Sequence, residues 1–220
     1  MPAALVKQRS SFRKAVDTIT FPIRAVTLFH KDLWGLSSLA TERFDYVARH
    51  VRGFCLDIGC GPGNRFITEF CNGNGIGIDV YHYNGLTEEN IVNDMTRLPF
   101  PDETFDTVTF IANLNHVPHS IRHQELKEAY RVLKDGGNIV VTMGNPIAEI
   151  LVHWLVASYD RILGTAVDVD NERGMSDEES YYLTPGAVFS YLSRAAFVNL
   201  RRKRFWTQWG LNSLFEGWKS

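Results

Sequence analysis

Three aspartates and an alternating set of glycines are the residues of this chain whose types and spacing point most directly to chemistry. The run Leu56-Asp57-Ile58-Gly59-Cys60-Gly61-Pro62-Gly63 carries an apolar strand into a glycine-rich turn, and Asn64-Arg65-Phe66 reads as the opening of a helix. Glycine suits such a turn because a ligand meets no Cβ there and because the backbone must adopt dihedrals other residues avoid. A helix start would add unpaired N–H groups for a negatively charged end of that ligand. A second apolar run ends in Gly77-Ile78-Asp79-Val80. At that strand end Asp79 can accept two hydrogen bonds from a ribose diol. Together these features describe a nucleoside-like ligand lying across a crevice at strand ends.

Nicotinamide dinucleotides use similar geometry, but their fingerprint is G-x-G-x-x-G. Here the spacing is G-x-G-x-G, with Asp57 just before the turn and Pro62 inside it. This segment resembles motif I of the class I S-adenosylmethionine-dependent methyltransferases. The resemblance continues in Asn93-Asp94-Met95-Thr96-Arg97-Leu98-Pro99-Phe100-Pro101-Asp102-Glu103-Thr104-Phe105-Asp106, which is similar to the D-x-x-x-L-P-F-x-D-x-x-F-D stretch of the family's ubiquinone-biosynthesis-like (type 11) branch. It continues again in Leu126-Lys127-Glu128-Ala129-Tyr130-Arg131-Val132-Leu133-Lys134-Asp135-Gly136-Gly137, similar to that branch's E-x-x-R-V-L-K-P-G-G, with Asp135 where proline is usual.

The resemblance implies S-adenosyl-L-methionine as cofactor, S-adenosyl-L-homocysteine as its product, and a role for each position. Asp57 would orient the cofactor's ammonium group. Gly59, Cys60, Gly61 and Gly63 would line the turn beside its methionine and ribose portions, and Asp79 would hold the ribose hydroxyls. Asp94 would accept the adenine amino group and the Met95 N–H would meet a ring nitrogen, with Val80, Tyr81 and Met95 flanking the base. Ala112 and Asn113 would form the floor beside the sulfonium. The implied activity is methyl transfer to a small-molecule acceptor by in-line displacement.

Such a displacement depends on holding nucleophile and methyl group in line, so a base is optional. Where the acceptor must lose a proton, a histidine suits the task. His116 lies in Asn113-Leu114-Asn115-His116-Val117-Pro118, where this branch often carries His-His and Asn115 replaces the first histidine. Two readings of His116 stand side by side: a catalytic base, or a hydrogen-bonded packing residue at a helix start. His119 and His123 read as exposed helix residues. His153, Tyr159, Tyr181 and Tyr182 are candidates to face the substrate, the two last as lid residues, while Trp206, Trp209 and Trp218 would pack a terminal hairpin.

The elements that must position these residues follow from periodicity. Residues 1–50 form an N-terminal helical cap of two or three helices, with Asp17, Pro22 and Thr41 as caps or breaks. Residues 51–145 are the cofactor-binding core, with strands expected at Phe54 to Ile58, Gly75 to Val80, Asn90 to Asn93, Phe105 to Ile111 and Asn138 to Met143. Residues 146–195 are a substrate-lid region ending in a helix introduced by Thr184-Pro185. Residues 196–220 are a hairpin of two strands, Ala196 to Trp206 and Leu211 to Trp218. The expectation is one α/β domain over residues 1–220: a Rossmann-like, doubly wound, seven-stranded sheet, mostly parallel, with a C-terminal antiparallel hairpin and N-terminal helices. The N-terminal helices and Pro146 to Tyr182 would roof the crevice, using Phe21, Phe29, Trp34, Trp154, Tyr159, Tyr181 and Tyr182.

Composition narrows the alternatives. With 220 residues there is room for one well-buried core. A net charge of -2 argues against bulk phosphate binding, although Arg201-Arg202-Lys203-Arg204 and the basic N-terminal arm offer a local surface for nucleic acid or anionic lipid. A solvated strand edge is the plainer account of that run. Neither an Asn-Pro-Pro-Tyr nor a Pro-Cys motif of base methylation occurs, so a nucleic-acid or protein substrate is the second choice. A cofactor-binding but non-catalytic partner subunit is the third. The acidic stretch Asp168 to Glu179 lacks EF-hand order and reads as a solvated loop, and no metal is expected. Cys55, Cys60 and Cys71 read as reduced thiols in a cytoplasmic protein. The run Pro146 to Leu163 is broken by Glu149, His153, Asp160 and Arg161 and is no clean membrane span.

Overall fold

Apolar residues alternate in the strand segments because both faces of the sheet are covered, and the two sets of side chains build two separate cores. The computed structural model describes residues 9–28, 32–144, 178–180 and 182–220. Its single sheet contains β1 (Cys55–Ile58), β2 (Gly75–Ile78), β3 (Phe105–Ile111), β4 (Leu133–Gly144), β5 (Val198–Arg204) and β6 (Asn212–Trp218), in the order β2-β1-β3-β4-β6-β5. The first four strands are parallel; β6 runs antiparallel between β4 and β5.

One face carries Leu56, Ile58, Val108, Phe110, Ile139, Val141 and Phe215. It is covered by α4 (Arg122–Val132), through Leu126, Ala129 and Val132, and by α5 (Pro185–Arg194), through Val188 and Leu192. The other face carries Cys55, Ile111, Val140 and Leu214. Against it pack Val47 and Ala48 of α3 (Leu39–Ala48) and Phe66, Ile67 and Phe70 of a short wide turn of helix. The doubly wound reading therefore holds among the described residues.

Among the described residues the strand count is six, one fewer than expected. The Asn90 to Asn93 run contributes only one parallel bridge, Ile91 opposite Asp79, closed by Asp79 N–H to Asn90 O at 2.8 Å and Val92 N–H to Asp79 O at 3.0 Å. Just before it, Glu88–Asn90 coils into a 3-10 turn, its Thr87 N–H and hydroxyl donating to Asn90 Oδ1, which leaves too little extended backbone for a strand. β4 is longer than expected because Phe105 pairs with Leu133 before an irregularity that resets the register to Thr107 opposite Asn138.

Among the described residues three helices precede the core: α1 (Ser11–Ile19), α2 (Phe21–Thr27) and α3. Pro22 opens α2 as expected. The caps, however, are Ser10, whose hydroxyl accepts from Arg13 N–H, and Ser38, which accepts from Thr41 N–H. Thr41 thus lies in the first turn, and Asp17 is buried in an ion cluster. That cluster joins Arg9 to Asp17, Glu42 and Asp45, and Arg24 Nη1 to Glu42 at 2.9 Å; Gln208 Nε2 adds a bond to Glu42 at 2.9 Å. Through Gln208, the N-terminal helices are tied to the β5–β6 turn. No helix among the described residues is long and apolar enough to cross a membrane.

Candidate functional site

The chain leaves β1 for β2 on one side and returns to β3 on the other, so the carboxyl ends of β1 and β3 form the switch point where doubly wound sheets open a crevice. Asp57, the turn Gly59 to Gly63, Asp79, Ala112 and Asn113 all gather at this end.

The three glycines have separable reasons to be there. All have positive φ, 75°, 64° and 70° for Gly59, Gly61 and Gly63. A Cβ on Gly59 would lie 2.2 Å from the Asn113 side chain, so this glycine makes room for a neighbour already in place. Gly63 N–H donates to Asn84 O at 3.0 Å, and a Cβ added at Gly85 would lie 3.0 Å from the Gly63 Cα. At Gly61 a Cβ would meet nothing within 4 Å. Among the described residues, Gly61 is thus the one of the three whose Cβ position is clear of protein. The expected helix after the turn is only a 3-10 turn over Pro62–Asn64 followed by a π-helical turn over Phe66–Phe70. It is too short to act as a helix-dipole anion site; Gly63 and Asn64, both at positive φ, interrupt it.

Asp79 fixes the turn from the end of β2. Oδ2 accepts Gly61 N–H and Oδ1 accepts Tyr81 N–H, both at 3.0 Å. A carboxylate offers about four lone-pair sites, so two remain for ligand hydroxyls. Asp57, buried on β1, accepts the Thr109 hydroxyl at 2.6 Å. Among the described residues no cation forms an ion pair with it. Burial raises its pKa to about 7, against the Thr109 hydrogen bond, with nearby Asp79 adding to the rise. Burial, together with the Asp57 and Asp79 carboxylates, also pushes the Cys60 thiol well above its ordinary value, which makes it a packing residue and not a nucleophile. All three cysteines are free and buried.

Ala112 turns the chain at the end of β3 with φ 52°, its N–H donating to the Thr142 hydroxyl at 2.9 Å. Non-glycine residues adopt this conformation at a cost, and here it swings Asn113 back over Gly59, where Nδ2 donates to Ile58 O at 3.2 Å. Val80 and Tyr81, each about 40% exposed, stand at the surface beyond Asp79. Asp94 is exposed and accepts the N–H and hydroxyl of Thr96, which lowers its pKa. Met95 differs from expectation: its side chain packs in the core with Val92 and Leu98, leaving only its backbone for a base.

The two other motif stretches bind each other. Arg131 donates to Phe100 O, Leu98 O, Asp102 and Glu128, and Glu128 accepts Leu98 N–H at 2.9 Å. This clamp holds the loop that carries Asp94 and Met95.

His116 lies in a turn and not at a helix start. Its Nδ1 is 3.3 Å from Glu179 Oε2, whose side chain is almost fully buried. The segment 178–180 docks on this loop through Ser180 N–H to Asn115 O and His119 N–H to Glu178 O, both at 2.9 Å. Buried Arg122 braces the loop from below, donating to Val117 O and Asn115 O. Glu179 is thus buried beside His116, contrary to the reading of Asp168 to Glu179 as a solvated loop; residues 168–177 lie outside the described residues, as do His153, Tyr159 and Tyr181. Tyr182 is at the surface. Of the expected hairpin tryptophans, Trp218 lies under Arg201, whereas Trp206 and Trp209 stand out in solvent.

Residues 56–141 match the family described as "Methyltransferase domain". The chain is 27% identical to the ubiquinone/menaquinone biosynthesis C-methyltransferase UbiE of Cereibacter sphaeroides over 59% of its own length and 52% of that protein's. It is 28% identical to demethylmenaquinone methyltransferase of Lactobacillus johnsonii over 67% and 68%. The chain spans about half the length of the UbiE relatives it matches. A solved structure described as a SAM-dependent methyltransferase, possible histamine N-methyltransferase, of Thermotoga maritima superposes with a TM-score of 0.59 at 16% identity, covering 95% of this chain and 98% of that one. A putative methyltransferase solved in complex with the Haloferax volcanii Trm112 activator gives 0.57 at 14% identity, covering 93% of each, so both establish the fold alone. With the motifs and the sheet order in agreement, residues 56–141 carry a methyltransferase domain on the fold of the class I methyltransferases, similar in sequence to the ubiquinone-biosynthesis-like enzymes.

Proposed function

We propose that this chain transfers a methyl group from S-adenosylmethionine to a small-molecule acceptor. The observation that carries the reading is the open cradle at Gly61, bounded by Asp79 on one side and by a buried Asp57 that has no cationic side chain paired with it among the described residues. The residues fit the cofactor group by group. Asp57 meets its ammonium, Asp79 its ribose hydroxyls, Val80 and Tyr81 its base, with Asp94 and the Met95 N–H at the base's polar edge. Bound S-adenosylmethionine supplies an electrophilic methyl on a sulfonium. The Ala112–Asn113 turn forms the floor of the crevice and holds the reacting groups in line.

His116 is the base in this reading. Glu179 accepts the Nδ1 proton, which places the basic lone pair on Nε2. The relatives named above are C-methyltransferases or act on demethylmenaquinone by name, and methylation of such carbon or hydroxyl acceptors releases a proton that His116 would take. The N-terminal helices and residues 146–182 would close the acceptor side. Phe21 is excluded from that role, being buried against Trp209.

Thermal shift tests the cofactor half: S-adenosylmethionine and S-adenosylhomocysteine raise Tm, by about 2.7 kcal/mol of stabilisation at a hundredfold excess over Kd, and NAD does not. Methyl-labelled cofactor with a metabolite panel tests the rest. Stabilisation by NAD alone overturns the cofactor assignment, and binding with silence on every acceptor favours a non-catalytic subunit.

A further inference from the structure

Helix α1 turns its apolar face outward. Its inner face carries Asp17, fully buried among Arg9, Arg13 and Arg24, whereas Phe12 is 80% exposed and Ile19 78%, with Ala15 exposed between them. A surface helix ordinarily does the reverse. The apolar surface continues past the end of α1. Ile23 of α2 is exposed, and α1 packs against the turn after β5, where Trp209 Nε1 donates to Thr18 O at 2.9 Å. Trp206 and Trp209 show most of their surfaces to water there.

This apolar patch borders a cationic strand. β5 is the edge of the sheet and enters the turn as Arg201-Arg202-Lys203-Arg204, with Arg201, Lys203 and Arg204 exposed. Residues 9–28 and 198–211 together hold eight cationic side chains and one carboxylate, Asp17, in a chain whose net charge is -2. Arg9 and Arg24 are spent on the buried acids Glu42 and Asp45; Arg13, Lys14 and the four cations of β5 are the remaining six.

We propose that Phe12, Ile19, Ile23, Trp206 and Trp209, with the cations of β5, form a docking surface for an anionic lipid bilayer. A bilayer accommodates all three parts of the patch: apolar side chains at the acyl boundary, indoles at headgroup level and cations at the phosphates. A nucleic acid would engage the cations and leave Phe12 and Ile19 in water. A two-fold second copy would set the cationic strand against itself, because an isologous contact pairs a patch with the same patch. The mode is interfacial, since no described helix is long enough to span. Gly144 pairs with Asn212, so this turn lies at the carboxyl end of the parallel strands, the end that holds the crevice.

Flotation of the full chain with phosphatidylcholine vesicles, with and without roughly 30% phosphatidylserine, tests the proposal. The expected result is binding at least about tenfold stronger to the anionic vesicles, weakened by high salt. Phe12→Glu with Ile19→Glu, and separately Trp206→Ser, should each reduce it about tenfold while Tm and S-adenosylhomocysteine affinity stay unchanged. Arg201→Gln with Lys203→Gln should also reduce it. Three results overturn the proposal: no flotation with either vesicle, loss only on removing charge with the apolar variants binding fully, or a dimer in sedimentation velocity that Phe12→Glu with Ile19→Glu dissolves while vesicles stay bare.

Discussion

Cofactor affinity should fall as pH drops from 7 to 5.5, because the carboxyl proposed to meet the cofactor's ammonium titrates in that window. Asp57 is buried on β1, and its pKa of about 7 means that half of it is ionised at pH 7. At pH 5.5 about 3% is ionised, so a ligand that requires the carboxylate should bind about sixteenfold more weakly, or about 1.6 kcal/mol. The ligand's own α-amino group is that of a free amino acid, more basic than a peptide N-terminus, and stays protonated across this window. Calorimetry with S-adenosylhomocysteine at several pH values, in buffers of different ionisation enthalpy, reads both the affinity and the proton that Asp57 releases on binding. Asp57→Asn should bind more weakly at pH 7 and lose the slope. An unchanged Kd between pH 7 and 5.5, or an Asn variant with the wild-type slope, would refute the assignment of Asp57 to the ammonium. The same raised pKa has a stability consequence in the absence of ligand. Between about pH 4 and 8 the folded state holds protons on Asp57 and on Glu125, whose pKa burial raises to about 8, while the unfolded chain has released them. Their contribution favours the fold below about pH 4 and is lost as pH rises through 7 and 8. The Tm of the free protein should therefore decline toward pH 8, and ligand should relieve the Asp57 share.

The glycine assignments separate in a pair of variants: Gly59→Ala should destabilise the fold by roughly 2 kcal/mol or more through collision with Asn113, whereas Gly61→Ala should cost about 1 to 2 kcal/mol of backbone strain yet weaken cofactor binding at least about tenfold. Urea melts beside calorimetry decide it, and equal stability losses with intact binding in Gly61→Ala would remove the cradle. His116→Ala should lower kcat by about 10² to 10⁴ with cofactor Kd unchanged, and Glu179→Gln by less, with a displaced pH profile as the sign of a positioning residue. An Ala variant with full turnover would return His116 to a packing role. Arg24→Met should cost about 3 to 5 kcal/mol in denaturant melts, because it strands Glu42 without its closest partner, and a loss under 1 kcal/mol would show that Arg9 and Gln208 suffice.

What was legible in the sequence was set by backbone periodicity and by residues that serve a ligand. β3 is readable to the residue because Phe105 to Ile111 is apolar or β-branched at every position but Asp106, and α5 because Thr184-Pro185 is a cap whose hydroxyl accepts Ala187 N–H. The strand at Asn90 to Asn93 failed because its fate depends on a side chain, Asn90 Oδ1, that draws the preceding backbone into a turn. Asp17 and Thr41 were mistaken for caps because short polar residues serve equally in caps and in buried pairs, and only tertiary contacts distinguish the two. Glu179 was unreadable for the same reason. Its neighbours in sequence are acidic and solvent-like, and its partner His116 is 63 residues away.

The motif stretches also divide in a way that similarity alone does not reveal. Asp57, Gly61 and Asp79 lie together at the carboxyl ends of β1 and β2, whereas Glu128 and Arg131, just as much part of the resemblance, are spent on bracing a loop. Arg131 ties the backbone of Leu98 and Phe100 to α4, and Glu128 returns the bond to Leu98 N–H. A loop that must present Asp94 at a fixed distance from Asp79, with no strand beneath it, needs such an external brace, and α4 is the nearest rigid element. The N-terminal helices are held on a comparable principle. Arg9 and Arg24 meet Glu42 and Asp45 in a buried cluster that also takes Gln208 from the β5–β6 turn, so removal of residues 1 to 30 would leave buried Glu42 without either arginine and Asp45 with Arg49 in place of two. Such a truncation would report the collapse of that cluster before it reported anything about roofing the crevice. Whether these helices shape the acceptor side is therefore a question for single side chains facing the crevice, with the cluster left intact.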